Sequence, residues 1–329
     1  MTRTIQRSAI ILVAVGLIAG LSPVAASGRT ASKTAPRVAA LARPPVIDSG
    51  HGAARFSPSF AGAFGTANQQ YNDGSAGMPA GTESVIGEDG RVRVTDTQSY
   101  PASAIGQIEL IQHGLALICT GWLIDPNTIL TSGHCAYDPS PAGTDIIESA
   151  SFAPGRNGAV DAFGTCDVVS AYSPAGWRID GKAASDWALM QLGTFAAGAE
   201  EGFTDCPIGD TVGWLGYFWE AGADGLKGLK VRIEGYPGDK PPGTQWKMNG
   251  TIAASDRNMA YYKMDTFGGQ SGSPIFVPNR GGCGPCGAAI HSYGIDPGAP
   301  SATRNSGPRI TKSKFLLIQN LADNNEPTA

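Results

Sequence analysis

The residues best suited to nucleophilic chemistry lie in the stretch MDTFGGQSGSPIF, residues 264–276. This stretch places three glycines and two serines between an acidic turn and an apolar run, a composition that is also typical of a flexible loop. A serine hydroxyl becomes a nucleophile when a base takes its proton and a third group orients that base. Whether Ser271 is a nucleophile therefore depends on a histidine and a carboxylate elsewhere in the chain.

Of the four histidines, His134 is the best candidate for that base. His51 falls in a segment that we expect to be removed, and His113 is more typical of an exposed or strand-edge histidine. His134 follows a β-rich run and precedes Cys135, which could be bridged to Cys119 and so hold the turn rigid. Metal binding by His134 and Cys135 is a weaker interpretation, because no CxxC or HExxH spacing accompanies them.

Asp186, in the stretch ASDWALMQL, is the candidate for the orienting group. A carboxylate beside Trp187 and an apolar run is expected to be partly buried, which is costly without a hydrogen-bonded partner. An imidazole is a suitable partner, although an aspartate that caps a turn is the simpler interpretation of this segment alone. His134, Asp186 and Ser271 together form a candidate triad, in that chain order.

The elements that must position these residues are predicted to be mostly β-strands. Short β-rich runs such as AIGQIELIQ, LALICTGWLI and LKVRIEGY recur beyond residue 84, and the 45 glycines and 23 prolines fit short strands joined by turns. The tail differs, because TKSKFLLIQNLADNN places four apolar residues near one helical face, with Thr311 as N-cap. We therefore predict an all-β body with a C-terminal helix.

Residues 1–26 are predicted to be a signal peptide and residues 27–83 a pro-segment. Arg3 and Arg7 precede an uncharged run of 13 residues, and a small-residue cleavage site follows at Ala26. A membrane anchor is the alternative, but that run falls short of the roughly 20 residues that span a bilayer. Residues 27–83 are rich in Ala, Gly, Ser and Pro, without hydrophobic periodicity. We expect a secreted, extracellular protein with no membrane contact after signal cleavage.

The charge changes at the same boundary. Residues 1–83 hold seven basic and three acidic residues, which leaves 17 basic and 25 acidic residues in the body, a net charge of about −8. Binding of a nucleic-acid backbone needs dense positive charge, so no nucleic-acid partner is expected. The sequence carries no EF-hand spacing, and we predict neither a metal nor a cofactor.

All six cysteines lie in the body, and an even number in an exported chain implies disulfides. Sequence alone does not decide among the possible pairings. The CGPC stretch at residues 283–286 matches a thioredoxin-type redox motif, but it lies among glycines in a β-rich region, whereas a redox motif opens a helix. The sequence contains no G-x-S-x-G, which excludes the nucleophile elbow of α/β-hydrolases.

Several further stretches occur in one order along the body. They are SVIGEDGRVRVTDT, CTGWLIDPNTILTSGHCAYD, APGRNG, GWR, GYPGDKPPGTQW, MDTFGGQSGSP and RITK. With these stretches the body resembles the chymotrypsin-like serine peptidases and, more closely, the bacterial glutamyl endopeptidases of the Bacillus type. The resemblance implies that residues 84–329 form two six-stranded antiparallel β-barrels, an N-terminal one at about 84–195 and a C-terminal one, with the helix, at about 205–329.

The resemblance also implies a serine endopeptidase that acts on polypeptides through an acyl-enzyme. His134, Asp186 and Ser271 would be its catalytic residues, with the active site between the barrels. The backbone N–H groups of Gly269 and Ser271 would form the oxyanion hole. The stretch Ser292–Gly294 would pair with the substrate backbone as an added strand.

Substrate choice follows from the same resemblance. Thr266 and His291 match the carboxylate-binding residues of glutamyl endopeptidases, and Arg178 and the Val85 region match further basic elements of that pocket. We therefore expect cleavage after glutamate and, less well, after aspartate. The first alternative is cleavage after Lys or Arg, because Asp265 stands where trypsin-type enzymes place their selecting carboxylate. The second is an inactive binding module, which would require a missing triad residue, and none is missing.

The family resemblance leads to expectations about covalent structure and maturation as well. The disulfides would be Cys119–Cys135, a small loop Cys283–Cys286 and, as the remaining pair, Cys166–Cys206. The SVIG start directly after Glu83 predicts a mature monomer that begins at Ser84. Trypsin-like enzymes pair the new amino terminus with an aspartate before the nucleophile, and here that residue is the neutral Gln270.

Overall fold

The computed structural model describes residues 54–55, 84–195, 203–295 and 299–323. The expected signal peptide, residues 1–26, lies outside these ranges, as does the expected pro-segment apart from residues 54–55. Among the described residues, no helix has both the length and the apolar character needed to cross a bilayer.

Short strands dominate the described part of the chain. The strands are β1 (Ala54–Arg55), β2 (Val92–Arg93), β3 (Ile105–Gln112), β4 (Leu115–Leu123), β5 (Thr128–Thr131), β6 (Ser149–Pro154), β7 (Cys166–Tyr172), β8 (Ala188–Phe195), β9 (Phe203–Asp205), β10 (Gly216–Tyr217), β11 (Lys230–Gly235), β12 (Trp246–Ser255), β13 (Met259–Tyr262), β14 (Pro274–Arg280), β15 (Gly284–Ile290) and β16 (Asn305–Pro308). The α-helices are α1 (Ala175–Arg178), α2 (Gly209–Val212) and α3 (Lys312–Asp323). The all-β prediction is confirmed, and the predicted run AIGQIELIQ contains β3.

Strands β3 to β8 form a closed barrel of six strands. Their order is β7-β6-β3-β4-β5-β8, and antiparallel pairing of β7 with β8 closes the sheet. Ile108, Phe152 and Met190 point into one apolar cluster and are fully buried. Burial of one face of each strand is what holds a curved antiparallel sheet together.

The second barrel is built in the order β15-β14-β11-β12-β13-β16, and these neighbours are antiparallel. Its ends meet through an isolated bridge between Ala289 and Arg309, and Ile310 N donates to Ala288 O at 2.8 Å. Closure therefore rests on isolated backbone pairs instead of a continuous ladder. In addition, β10 runs parallel to β15, a departure from the purely antiparallel expectation.

The two barrels share an apolar seam, and the C-terminal helix lies on it. Trp122 of the first barrel, Phe276 of the second and Ile318 of α3 are fully buried in one cluster. Lys314 N donates to Thr311 Oγ1 at 3.3 Å, so the predicted N-cap is confirmed. The helix predicted from the tail thus packs where the two barrels meet.

The N-terminal barrel is expected to start at about residue 84, and β2, which lies within that range, pairs with the second sheet. β2 pairs antiparallel with β12 of the second barrel, and Val94 N donates to Gln245 O at 2.8 Å. The backbone of residues 92–94 thereby finds its hydrogen bonds on the second sheet. Before β3, β1 pairs antiparallel with β7 of the first barrel, whereas β2 pairs with β12 of the second.

Candidate active site

His134 and Asp186 form a buried pair at the ends of neighbouring strands. β5 and β8 are antiparallel, so the turn after β5 and the turn before β8 lie side by side. His134 Nδ1 lies 2.9 Å from Asp186 Oδ2, and the His134 backbone N–H donates to Asp186 Oδ1 at 2.9 Å. Gly133 makes this approach possible, because a Cβ there would lie 2.9 Å from Asp186 Oδ1 and 2.7 Å from the Trp177 ring.

This geometry fixes the imidazole in position. The Asp186 side chain is fully buried and His134 is 5% exposed, so water competes little for either group. With Nδ1–H donating to the carboxylate, Nε2 is left as the basic nitrogen. Burial raises the pKa of the Tyr293 phenol, and the charge of Asp186 and a hydrogen bond to it raise that pKa further. Tyr293 is therefore a protonated neighbour of the same carboxylate.

The turn that carries Ser271 packs against β4 and β5, the strands that precede His134. Thr120 N donates to Ser271 O at 2.8 Å, which ties the turn to β4. Gly272 has φ +89°, and a Cβ there would lie 2.0 Å from Thr120 O and 2.2 Å from Thr131 Oγ1. Only glycine fits at this contact. The structure thus brings Ser271 beside the His134 turn, from the opposite barrel.

The three disulfides join Cys119 to Cys135, Cys166 to Cys206 and Cys283 to Cys286. These are the pairs that the resemblance and the remaining cysteines imply. The first bridge connects β4 with the His134 turn, and Cys135 Sγ lies 3.8 Å from Ser271 O. The disulfide therefore supports the contact between the His134 turn and the turn that carries Ser271.

Cys119, His134 and Cys135 also form the one group of described residues whose ligand atoms are near enough, within 4.8 Å, to share a metal ion. Metal binding by cysteine requires thiolates. Both sulfurs are joined to each other, so neither is a thiolate. This set of residues does not fit a metal site while the disulfide is intact.

The residues before the nucleophile form a rigid turn. Gly269 has φ +98°, and a Cβ there would lie 2.6 Å from Tyr236 O, so glycine is required at this position. Thr120 Oγ1 donates to Gly269 O at 2.9 Å. The Gln270 side chain is fully buried, and its Oε1 accepts a hydrogen bond from Phe267 N at 3.2 Å. The neutral Gln270 side chain thus stabilises the turn in which it lies.

Thr266 and His291 lie on the second barrel near the nucleophile, and both are fully buried. His291 Nδ1 lies 2.5 Å from the Tyr262 hydroxyl, and His291 N donates to Ser273 O at 2.9 Å. Thr266 N donates to Ser84 O at 3.2 Å. The amino-terminal residues of the body and the two candidate pocket residues therefore belong to one region.

The candidate substrate strand begins directly after His291. Ser292 Oγ lies 2.9 Å from Ser132 Oγ and donates to Asp186 O at 3.3 Å, so it bridges the barrels beneath the triad. Gly294 is buried and is followed by Ile295, whose N–H donates to Ser84 Oγ at 3.1 Å. Val85 is half-buried next to this contact.

The carboxylate of Asp265 accepts hydrogen bonds from the backbone, which the sequence alone did not indicate. Its side chain is 1% exposed, Oδ1 accepts a hydrogen bond from Ile86 N at 2.7 Å, and Oδ2 accepts one from Gly90 N at 2.8 Å. Both oxygens are used by the backbone of the body's first residues. A substrate lysine or arginine would have to reach a carboxylate that is almost fully buried and already accepts two backbone hydrogen bonds.

Arg178, a predicted pocket residue, is hydrogen-bonded to backbone carbonyls of the first barrel. Its Nε donates to Ser173 O at 2.8 Å and its Nη1 to Gly143 O at 2.5 Å, both in the first barrel. The guanidinium also lies 5.5 Å from the centre of the Tyr137 ring. None of these contacts involves Thr266 or His291, so any influence of Arg178 on those residues is through its charge.

Two residues near the pocket were not found by sequence reasoning. Tyr262 contacts His291, and Asn305 Nδ2 donates to Ser84 O at 2.7 Å and to Met264 O at 2.8 Å. Tyr262 lies in the run MAYYKM, where the only signal is β-propensity, and Asn305 has no motif around it. Their roles depend on contacts between distant parts of the chain, which a local pattern does not contain.

Comparison with known proteins identifies the family. The family model described as Trypsin matches residues 92–217. The glutamyl endopeptidase of Bacillus licheniformis is 40% identical over 74% of this chain and 71% of its own length. A protein of Bacillus subtilis named extracellular metalloprotease is 33% identical over 72% of this chain and 69% of its own.

A solved structure agrees with these relatives. A Glu endopeptidase in complex with MPD superposes with a TM-score of 0.58 at 33% identity, and the match covers 72% of this chain and 98% of that one. The family resemblance read from the sequence is therefore confirmed. The chain belongs to the glutamyl endopeptidase family of trypsin-fold serine proteases.

Proposed function

We propose that the mature protein is a secreted endopeptidase that cleaves polypeptides after glutamate and, less well, after aspartate. The observation that carries this proposal is the pairing of two features on the second barrel. Asp265 is fully engaged by backbone amides, while His291 and Thr266 are buried beside it. The site therefore places hydrogen-bond donors next to a carboxylate that is already compensated by two backbone N–H groups.

In the proposed reaction, Ser271 Oγ attacks the scissile carbonyl and His134 Nε2 takes its proton. His134 then gives that proton to the leaving amine, and Asp186 stabilises the imidazolium. A water molecule activated by His134 releases the acyl group from Ser271. The N–H groups of Gly269 and Ser271 hold the oxyanion, and each such donor typically contributes about 10²–10³ in rate.

The proposed glutamate preference comes from donors around the buried substrate carboxylate. With Tyr262 O–H donating to His291 Nδ1, the proton of His291 is on Nε2, a donor suited to a carboxylate. Thr266 contributes its hydroxyl, and its Oγ1 has no hydrogen-bond partner among the described residues. Arg178 and the amino group released at Ser84 contribute positive charge. A buried carboxylate needs such compensation for its lost hydration. Ser292–Gly294 pairs with the substrate backbone.

The proposed maturation removes residues 1–26 as a signal peptide and residues 27–83 as a pro-segment. Cleavage at Glu83–Ser84 matches the proposed specificity, so self-processing is consistent with it. The net charge of the body, about −8, supports a protein that binds no nucleic acid. We propose a monomer that needs no cofactor. A Ser271→Ala protein should accumulate with Glu83 still joined to Ser84, as amino-terminal sequencing would show.

Other functions have less support. The disulfide that consumes Cys119 and Cys135 disfavours a metal site of the kind that the name of the Bacillus subtilis relative suggests. Cleavage after Lys or Arg would require the substrate to reach Asp265, which is 1% exposed and already accepts two backbone hydrogen bonds. A binding module without activity would not need the complete set of His134, Asp186 and Ser271.

The experiment that tests the proposal maps the cleavage products of a denatured protein substrate by mass spectrometry. The secreted protein is used with and without labelling by an organophosphate. We expect new carboxyl termini at Glu and fewer at Asp, complete inhibition by the label, and the label on Ser271. Cleavage that persists in fully labelled protein would contradict the serine mechanism.

A further inference from the structure

We infer that Asp265 is a positioning residue that holds the amino-terminal segment, residues 84–91, against the wall of the specificity pocket. In this role it does not select a basic substrate side chain. The inference rests on the proposed function, because the pocket concerned is the one assigned to glutamate.

The first support is the way in which the segment satisfies a buried charge. The carboxylate of Asp265 accepts Ile86 N–H at 2.7 Å and Gly90 N–H at 2.8 Å, one on each oxygen. A carboxylate that is 1% exposed would be costly without such donors. Gly87, between them, has φ +87°, a conformation that favours glycine and turns the chain back toward the same carboxylate.

The second support is that the beginning of the segment is tied to the immediate neighbours of Asp265. Ser84 O accepts hydrogen bonds from Thr266 N at 3.2 Å and from Asn305 Nδ2 at 2.7 Å. The same Nδ2 donates to Met264 O at 2.8 Å. Asn305 therefore joins the first residue of the segment to the loop after β13 that carries Asp265.

The end of the segment is fixed by ion pairs. Arg91 Nη2 lies 2.8 Å from Asp89 Oδ2, and Nη1 lies 2.9 Å from Asp239 Oδ1. Lys240 Nζ lies 2.6 Å from Asp89 Oδ2. The Arg91 side chain is fully buried by these contacts. Since both ends are fixed, the two amide donors to Asp265 are held in one place.

These contacts couple Asp265 to the pocket through the segment. Asp265 holds Ile86 and Gly90 in place. The segment in turn maintains the hydrogen bond from Thr266 N to Ser84 O, and Thr266 is a candidate pocket residue. None of these contacts is made by His134 or Ser271. Loss of the Asp265 interaction should therefore weaken the binding of a glutamate side chain and leave the chemical step largely intact.

The test compares Asp265→Asn with wild type, and uses Asp145→Asn as a control that removes an exposed carboxylate. An asparagine presents NH₂ to one of the two backbone donors, so one hydrogen bond is lost. Amide exchange of Ile86 and Gly90 is measured without substrate. Steady-state kinetics use matched peptides with Glu or Gln before the scissile bond, and rates are divided by the concentration of titrated active sites.

We expect exchange at Ile86 and Gly90 to become at least tenfold faster in Asp265→Asn. KM for the Glu peptide should rise about tenfold, which corresponds to about 1.4 kcal/mol, with kcat within about twofold of wild type. Asp145→Asn should match wild type in both measurements. A purely structural role would lower the titrated fraction and leave KM of the remaining sites unchanged.

Unchanged exchange, or faster exchange with unchanged KM, would overturn the inference. If Asp265→Asn does not fold, Ile86→Pro removes the donor and leaves the acceptor, and the same two outcomes apply to it. A wild-type protein that does not cleave the Glu peptide would refute the proposed function. The exchange measurement, made without substrate, would still report whether Asp265 holds the segment.

Discussion

Asp186 and Asp265 are two buried aspartates that accept hydrogen bonds on both oxygens, and they differ in the groups that donate those bonds. Asp186 faces the ring and the backbone N–H of His134. Asp265 faces the backbone N–H groups of Ile86 and Gly90. An imidazole exchanges its proton near neutral pH, whereas a backbone amide does not. The donor, and not the depth of burial, therefore distinguishes the carboxylate that we propose orients His134 from the one that we propose holds a segment.

Glu234 is a third buried carboxylate, and it lacks a comparable set of donors. Its side chain is 1% exposed, and Arg232 Nη1 lies 3.7 Å from Oε2, beyond hydrogen-bonding distance. Burial raises the pKa of Glu234 to about 7, which the charges of Arg232 and Lys247 only partly oppose. The three carboxylates thus differ in the hydrogen-bond donors and charges that compensate their burial. This difference can be tested at each of them.

The largest expected effect is on kcat, and it should differ between variants of Asp186 and Asp265. Asp186→Asn should lower kcat by about 10⁴, because an asparagine favours the wrong tautomer of His134. Asp265→Asn should leave kcat nearly unchanged. Single-turnover and steady-state kinetics on titrated enzyme measure both values. Similar kcat losses in the two variants would show that the two carboxylates do not have the distinct roles described here.

The next effect concerns stability at Glu234. Its pKa is about 7 in the folded protein and 4.5 in a free side chain, so the folded state retains the proton longer. Its contribution to the free energy of unfolding is complete below about pH 4.5 and is lost as pH rises through about 7. The loss is on the order of 3 kcal/mol.

Glu234→Gln should remove this part of the pH dependence. Urea unfolding of organophosphate-inhibited protein at pH 5 and pH 8 measures it, with inhibition preventing self-digestion. The wild type should lose stability between these two pH values, and the variant should lose less. An equal loss in both proteins would mean that Glu234 does not carry the pH dependence.

A smaller effect is expected at Tyr262, whose hydroxyl contacts His291 Nδ1. Tyr262→Phe removes the group that favours the Nε2–H form of His291. Loss of one such hydrogen bond is worth about 1–1.5 kcal/mol, so kcat/KM for a Glu peptide should fall about tenfold. The Gln peptide should be affected less. Equal losses with both peptides would indicate general damage to the pocket instead.

The smallest effect is expected at Arg178, because its guanidinium is bound to the carbonyls of Ser173 and Gly143. Arg178→Gln should reduce kcat/KM for Glu peptides a few-fold through the lost charge, and added salt should narrow the difference from wild type. Arg178→Lys, which keeps the charge, is the matched control. A larger loss in the Lys variant than in the Gln variant would be inconsistent with a role for charge.

The candidate triad can be proposed from sequence because each member lies in a short motif with a local reason for its conformation. Gly133 and Gly272 are needed where a side chain would collide with Asp186 or with Thr120. The all-β fold and the α3 N-cap at Thr311 also follow from local periodicity and turn residues.

The position of the amino-terminal segment was not accessible in the same way. Ile86 and Asp265 are 179 residues apart, and Ser84 and Asn305 are 221 apart. A carboxylate six residues before the nucleophile looks the same in sequence whether it faces a substrate or a backbone amide. Only the fold shows which donor reaches it.

The most direct test of the account is the ratio of kcat/KM for two peptides that differ only in Glu or Lys before the scissile bond. The measurement uses mature wild-type protein titrated at Ser271. Because Asp265 is engaged by the amino-terminal segment, the account predicts cleavage at Glu at least 100-fold faster than at Lys, a difference of about 2.8 kcal/mol. Faster cleavage at Lys would show that Asp265 faces the substrate and would contradict the account.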